Sequence, residues 1–152
     1  MIPNQRKRVL VVDNDDRDRR KLGHLFEFLG HEALATWSGT DALRDLKSQP
    51  FDFVFVDQFV ADMYVGNFIE RVLRLRRHPQ VVIMYKPGQF RRVKYNKLLG
   101  QCLFLEKGKS DIFAQTAFPA FELIVASGSD VKLADTAWYK TSLRSGVDHG
   151  DG

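Results

Sequence analysis

Three short stretches of this 152-residue chain carry the side chains best suited to chemistry. Asp13-Asn14-Asp15-Asp16 and Asp57 supply carboxylates, and Lys107 supplies an ammonium. Carboxylates gathered in one place repel each other unless a cation neutralises them. A hard divalent ion such as Mg²⁺ does so through oxygen ligands while keeping several waters. A nearby lysine adds a compact positive charge. Such a set suits an incoming phosphoryl group: the positive charges neutralise its oxygens while a carboxylate attacks phosphorus.

Each stretch follows a short apolar run. Val9-Leu10-Val11-Val12, Phe53-Val54-Phe55-Val56 and Leu103-Phe104-Leu105 read as strands covered on both faces, as does Val81-Val82-Ile83-Met84. Ala33 to Trp37 reads as another strand. Helical stripes lie between them. Leu22, Leu25, Phe26 and Leu29 form one that ends at Gly30, and Ser38-Gly39-Thr40-Asp41 opens a second that runs to about Lys47, before Pro50. Ile69, Val72 and Leu73 mark a third helix, stopped before Pro79. Tyr95, Leu98 and Leu99 suggest a short fourth. A fifth has Phe113, Ala117, Ala120, Phe121 and Ile124 on its inner face, with Pro119 to kink it. Five β-α units predict a parallel sheet with helices on both faces. Ligands gather at the carboxyl ends of such strands, so Asp13, Asp57 and Lys107 are expected to meet at one rim.

The chain is 44% hydrophobic with a formal net charge of +4, which suits one globular domain and excludes disorder throughout. No apolar run approaches the ~20 residues that span a bilayer, and no secretion signal is visible, so a cytoplasmic protein is expected. The single cysteine, Cys102, excludes an internal disulfide and multi-Cys metal sites, and it reads as a buried thiol. His24, His31, His78 and His149 are scattered, without a metal-binding spacing. Positive charge concentrates between Arg71 and Lys97, a stretch without an acid. It reads chiefly as solvated helix faces, with nucleic-acid binding the lesser reading.

The segments Val9-Leu10-Val11-Val12-Asp13-Asn14-Asp15, Phe53-Val54-Phe55-Val56-Asp57 and Phe104-Leu105-Glu106-Lys107 together resemble a response-regulator receiver domain. Phe26-Glu27-Phe28-Leu29-Gly30-His31 and Gly39-Thr40-Asp41-Ala42-Leu43 add to the likeness, which spans roughly Arg8 to Val125. The resemblance implies a flavodoxin-like (βα)5 fold, doubly wound, of strand order 2-1-3-4-5. It implies that Asp57 is the phosphoacceptor, charged by a sensor histidine kinase or phosphotransfer protein. Asp13, Asn14, Asp57 and the backbone carbonyl of Phe59 would hold Mg²⁺, and Lys107 would pair with the phosphate. Phe104 stands where the family has a reorienting aromatic.

Four positions depart from the pattern. Asn14 replaces an acid and weakens the metal site, although its amide oxygen can still ligate; Asp15 would substitute only if the loop shifts. The Ser or Thr expected after the fourth strand is absent, and spacing back from Lys107 puts Tyr85 there. Gly108 replaces a proline. The loop from Gln58 to Gly66 lacks the usual Met-Pro and Asp-Gly landmarks and is one residue longer.

The expectation is a stand-alone receiver-like domain over residues 1–126, with a partly disordered extension over 127–152. It would signal by contact with a downstream protein or as a homodimer, and catalyse at most its own phosphorylation and dephosphorylation. A pseudo-receiver that works without phosphorylation is the competing reading. A phosphatase of this class would need an acid at position 59, which is Phe59.

Overall fold

The structure, a computed structural model, describes residues 6–86, 88–89 and 101–107. Two compact units divide between Val82 and Ile83. Five strands form one sheet in the order β2-β1-β3-β4-β5: β1 (Arg8–Val12), β2 (Glu32–Thr36), β3 (Phe53–Asp57), β4 (Gln80–Tyr85) and β5 (Cys102–Glu106). The unit boundary therefore falls inside β4. This is the doubly wound, flavodoxin-like order expected from the resemblance.

In the first unit β1 is the hub, parallel to both neighbours: Leu10 pairs with Leu34 on one side and with Val54 on the other. Val9 to Val12 and Phe53 to Val56 are buried without alternation, which is why both strands read as continuous apolar runs. Each such side chain contributes about 1.5–3 kcal/mol by leaving water. Strand β2 is an edge strand and largely exposed. It runs one residue ahead of the predicted span, so Trp37 lies outside it, exposed.

Helix α1 (Asp16–Phe28) starts where Asp15 accepts the Arg17 and Asp18 N–H groups. It buries Leu22 and Phe26, one turn apart, and Phe26 meets Phe55 with ring centroids 5.0 Å apart, tilted 47°. It ends in a Schellman motif: Gly30 takes φ +89°, its N–H reaches the Glu27 carbonyl, and the His31 N–H reaches Phe26. His31 is buried and its Nδ1 accepts the Lys7 N–H, a structural role.

Helix α2 (Gly39–Ser48) is capped by Ser38, whose hydroxyl accepts the Asp41 N–H at 3.1 Å, as the sequence pattern predicts. Helix α3 (Val65–Leu73) buries Val65, Phe68, Ile69 and Val72. It ends at Leu73, capped at Arg74, whose N–H reaches the Glu70 and Val72 carbonyls, and so stops before Pro79 as the stripe predicts.

In the second unit, Ile83 to Tyr85 and Cys102 to Leu105 are buried. Burial pushes the Cys102 thiol up to about 12. The predicted fourth and fifth helices, Gly108, His149 and the extension over 127–152 lie outside the described residues. No helix among the described residues is long and apolar enough to cross a membrane.

Candidate functional site

The register of β1 and β3 positions the two carboxylates. Val12 pairs with Val56, so the next residues, Asp13 and Asp57, stand at the carboxyl ends of adjacent parallel strands. The β1–β2 ladder reaches Asp13, whose N–H donates to the Thr36 carbonyl at 3.1 Å. Asp13 is 1% exposed and Asp57 7% exposed. Both carboxylates turn the chain out of the sheet in the same way. Asp13 Oδ1 accepts the Asp15 N–H at 2.9 Å, and Asp57 Oδ2 accepts the Phe59 N–H at 2.9 Å. Such i to i+2 bonds are the Asx geometry that ends strands in tight turns.

Asn14 is exposed between them and the helix. Asp15 is committed to capping α1, so it is not the substitute ligand that the missing acid would require. Among the described residues no three His, Cys, Asp or Glu side chains group to hold a metal. A cation at this rim would draw on the Asp13 and Asp57 carboxylates, the Asn14 amide oxygen and the Phe59 carbonyl. That hard oxygen set fits Mg²⁺ in kind, with one negative charge fewer than the family pattern. Positive charge is also built in. Arg19 Nη1 donates to the Asp13 main-chain carbonyl at 2.9 Å, and its other nitrogen pairs with Asp16.

Asp62 is a residue the sequence reading passed over. It accepts the Ser38 hydroxyl at 2.9 Å, the Gly39 N–H at 2.8 Å and the Thr40 N–H at 3.2 Å. The loop that follows Asp57 is thereby pinned to the start of α2. Desolvation works against the charged form, but bonds from the Gly39 N–H, the Thr40 and Ser38 side chains and the Thr40 N–H outweigh it. They hold the carboxyl well below its usual value. A Cβ on Gly39 would lie 2.9 Å from Met63 Sδ and 3.0 Å from Val60 Cγ1, so the loop packs closely on the start of α2 and a larger residue there would displace these side chains. The free N-terminal amides of α2 call for an acceptor, but nothing local in the sequence singles out Asp62 as that acceptor.

The second unit holds the other predicted residues. Tyr85, the last residue of β4, and Phe104 of β5 are both wholly buried. Lys107 follows β5 and is 3% exposed; its N–H donates to the Tyr85 carbonyl at 2.7 Å.

A family model described as "Flagellar regulatory protein FleQ" matches residues 8–101. No curated protein matches the chain. Among solved structures, a response regulator receiver domain (CheY-like) from Methylobacillus flagellatus is 22% identical, with a TM-score of 0.59. The match covers 76% of this chain and 98% of that one. A putative response regulator from Chloroflexus aurantiacus J-10-fl is 19% identical with a TM-score of 0.68, covering 80% and 99%. The signal receiver domain of an HD domain-containing protein from Pseudomonas fluorescens Pf-5 is 17% identical with a TM-score of 0.68, covering 81% and 97%. At these identities the likeness establishes the receiver fold.

Proposed function

Because the chain belongs to the family described as flagellar regulatory protein FleQ, we propose that it is a cytoplasmic regulatory module of flagellar control that signals by protein contact on a receiver scaffold. It acts as a pseudo-receiver, without covalent phosphoryl transfer, and not as an enzyme. The observation that carries this reading is Tyr85, which is 0% exposed at the end of β4. The receiver pattern needs a small, mobile hydroxyl there to reach toward a phosphoryl oxygen. Withdrawing a fully packed aromatic ring costs about 3–5 kcal/mol by analogy with its truncation. One new charge-assisted hydrogen bond contributes about 1.5–3 kcal/mol, so the exchange is unfavourable. Asn14 in place of the second acid weakens cation binding in the same direction.

A second reading is favoured by the in-register, buried pair Asp13 and Asp57. There, an Asp57 carboxylate oxygen takes the phosphoryl group from the phosphohistidine of a sensor histidine kinase or phosphotransfer protein. The P–O bond forms as the P–N bond breaks, and the imidazole nitrogen keeps its electron pair. Asp13, Asn14, Asp57 and the Phe59 carbonyl would hold Mg²⁺, which when bound neutralises the clustered oxygens. Arg19 holds the turn at Asp13 in place, and Lys107 pairs with the phosphate. A downstream protein or a second copy would read the result.

Beryllofluoride with excess Mg²⁺, added to the ¹⁵N-labelled full chain, separates the two. The pseudo-receiver reading expects no saturable shifts at the Asp13, Asp57 and Phe59 amides. Saturable shifts that disappear in Asp57→Asn would overturn it in favour of phosphorylation.

A further inference from the structure

Many cations of the first unit are paired. Arg6, Arg8, Arg19, Arg20 and Arg44 each sit against a carboxylate of Glu32, Asp16 or Asp41. No such pair holds Lys47, Arg76 or Arg77 among the described residues. These three cations line one groove of about 620 Å³, open to solvent, whose other walls include Leu46, Pro50 and Leu75. It lies where α2 and α3 end, away from Asp13 and Asp57 in the chain's layout: both helix C-termini face the opposite end of the strands from the carboxylate rim.

Part of this charge answers to the helix ends, where a cation stabilises the terminal carbonyls by about 0.3–1 kcal/mol. That accounts neither for three cations around one groove nor for the leucines between them. An acidic ligand with an aliphatic side chain complements both features. We propose that this groove binds an acidic peptide segment of a partner protein that inserts one aliphatic side chain between Leu46 and Leu75. Lys47, Arg76 and Arg77 take its flanking carboxylates, and the two arginines suit bidentate contact. A nucleic acid fits less well. None of the lining residues is aromatic, so bases find no stacking surface.

The probe is an acetylated, amidated pentapeptide with one leucine between two pairs of glutamates, titrated into the ¹⁵N-labelled full chain. Shifts should cluster at residues 46–50 and 75–77. Replacing the leucine by alanine should weaken binding about three- to tenfold. Raising salt from about 50 to about 200 mM should weaken it several-fold. The double variant Arg76→Glu, Arg77→Glu should keep its folded spectrum and lose at least about tenfold in affinity. These arginines are exposed and lie beyond the end of α3, so the variant tests the surface and not the core. Absent or scattered shifts at millimolar peptide, or an equal response to the lysine counterpart of the peptide, would overturn the proposal. Tighter binding of a thymidine oligonucleotide to the same amides would overturn it in favour of nucleic acid.

Discussion

Removing the Asp62 carboxylate tests how the loop after Asp57 is held. Asp62→Ala deletes acceptors for the Ser38 hydroxyl and for the Gly39 and Thr40 N–H groups. Charge-assisted bonds reach about 1.5–3 kcal/mol each when sheltered, but Asp62 is exposed and solvent screens them. The closer guide is the loss of a helix cap, about 0.5–2 kcal/mol. The expected cost is therefore about 1–2 kcal/mol, or about 2–8 °C in Tm for a chain of this size. The pH dependence identifies the cause. The folded carboxyl titrates below its ordinary value of 3.8, so its stabilisation is complete above that value and is lost as pH falls through and below it. Urea unfolding of wild type and Asp62→Ala should differ by the full amount near about pH 7, and the gap should narrow near about pH 3. Asp62→Asn, which keeps an acceptor without the charge, should fall between them near neutrality. A gap that stays constant across that range, or no gap at all, would refute the argument that a charged latch holds the loop.

Gly39→Ala should destabilise by about 1 kcal/mol, despite the helix propensity alanine gains, because its Cβ meets Met63 and Val60. The penalty should shrink in a Met63→Ala background, since Met63 Sδ is the closest atom. Cys102, 4% exposed with its thiol raised to about 12, should resist a disulfide reagent at about pH 8 in the native chain and react promptly in denaturant. Early reaction without denaturant would mean that β5 opens locally. Phe55→Ala should cost about 3–5 kcal/mol by chemical denaturation, since the ring is buried against Phe26. A loss below about 1 kcal/mol would mean that this contact is not part of the central core.

What the sequence makes legible follows from the range of the forces involved. Strands β1 and β3 are buried on both faces, so their apolar runs stand out. Each is followed at once by its aspartate, so the position of Asp13 beside Asp57 needs only the pairing of those two strands. The Ser38 cap and the Gly30 stop are equally readable, because each is satisfied within a few residues. Asp62 was not readable. Its partners lie 22–24 residues back along the chain, and nothing local distinguishes a latch from a surface acid. The same limit explains Asp15. Sequence offered it as a spare metal ligand, while the unpaired N–H groups at the start of α1 claim its side chain first. Helix α3 is readable too: it ends at Leu73, the last residue of the predicted stripe and short of Pro79. The arginines that follow are thereby released from any helical stripe, and two of them, Arg76 and Arg77, line the unpaired groove. The end of α3 and the cationic groove are thus one consequence of one stretch of sequence. Restoring an apolar stripe there with Arg76→Leu should lengthen α3, detected as added amide protection near residue 76, and at the same time weaken the acidic peptide. Lengthening without weakening would separate the two and leave the arginines as helix-end charges alone.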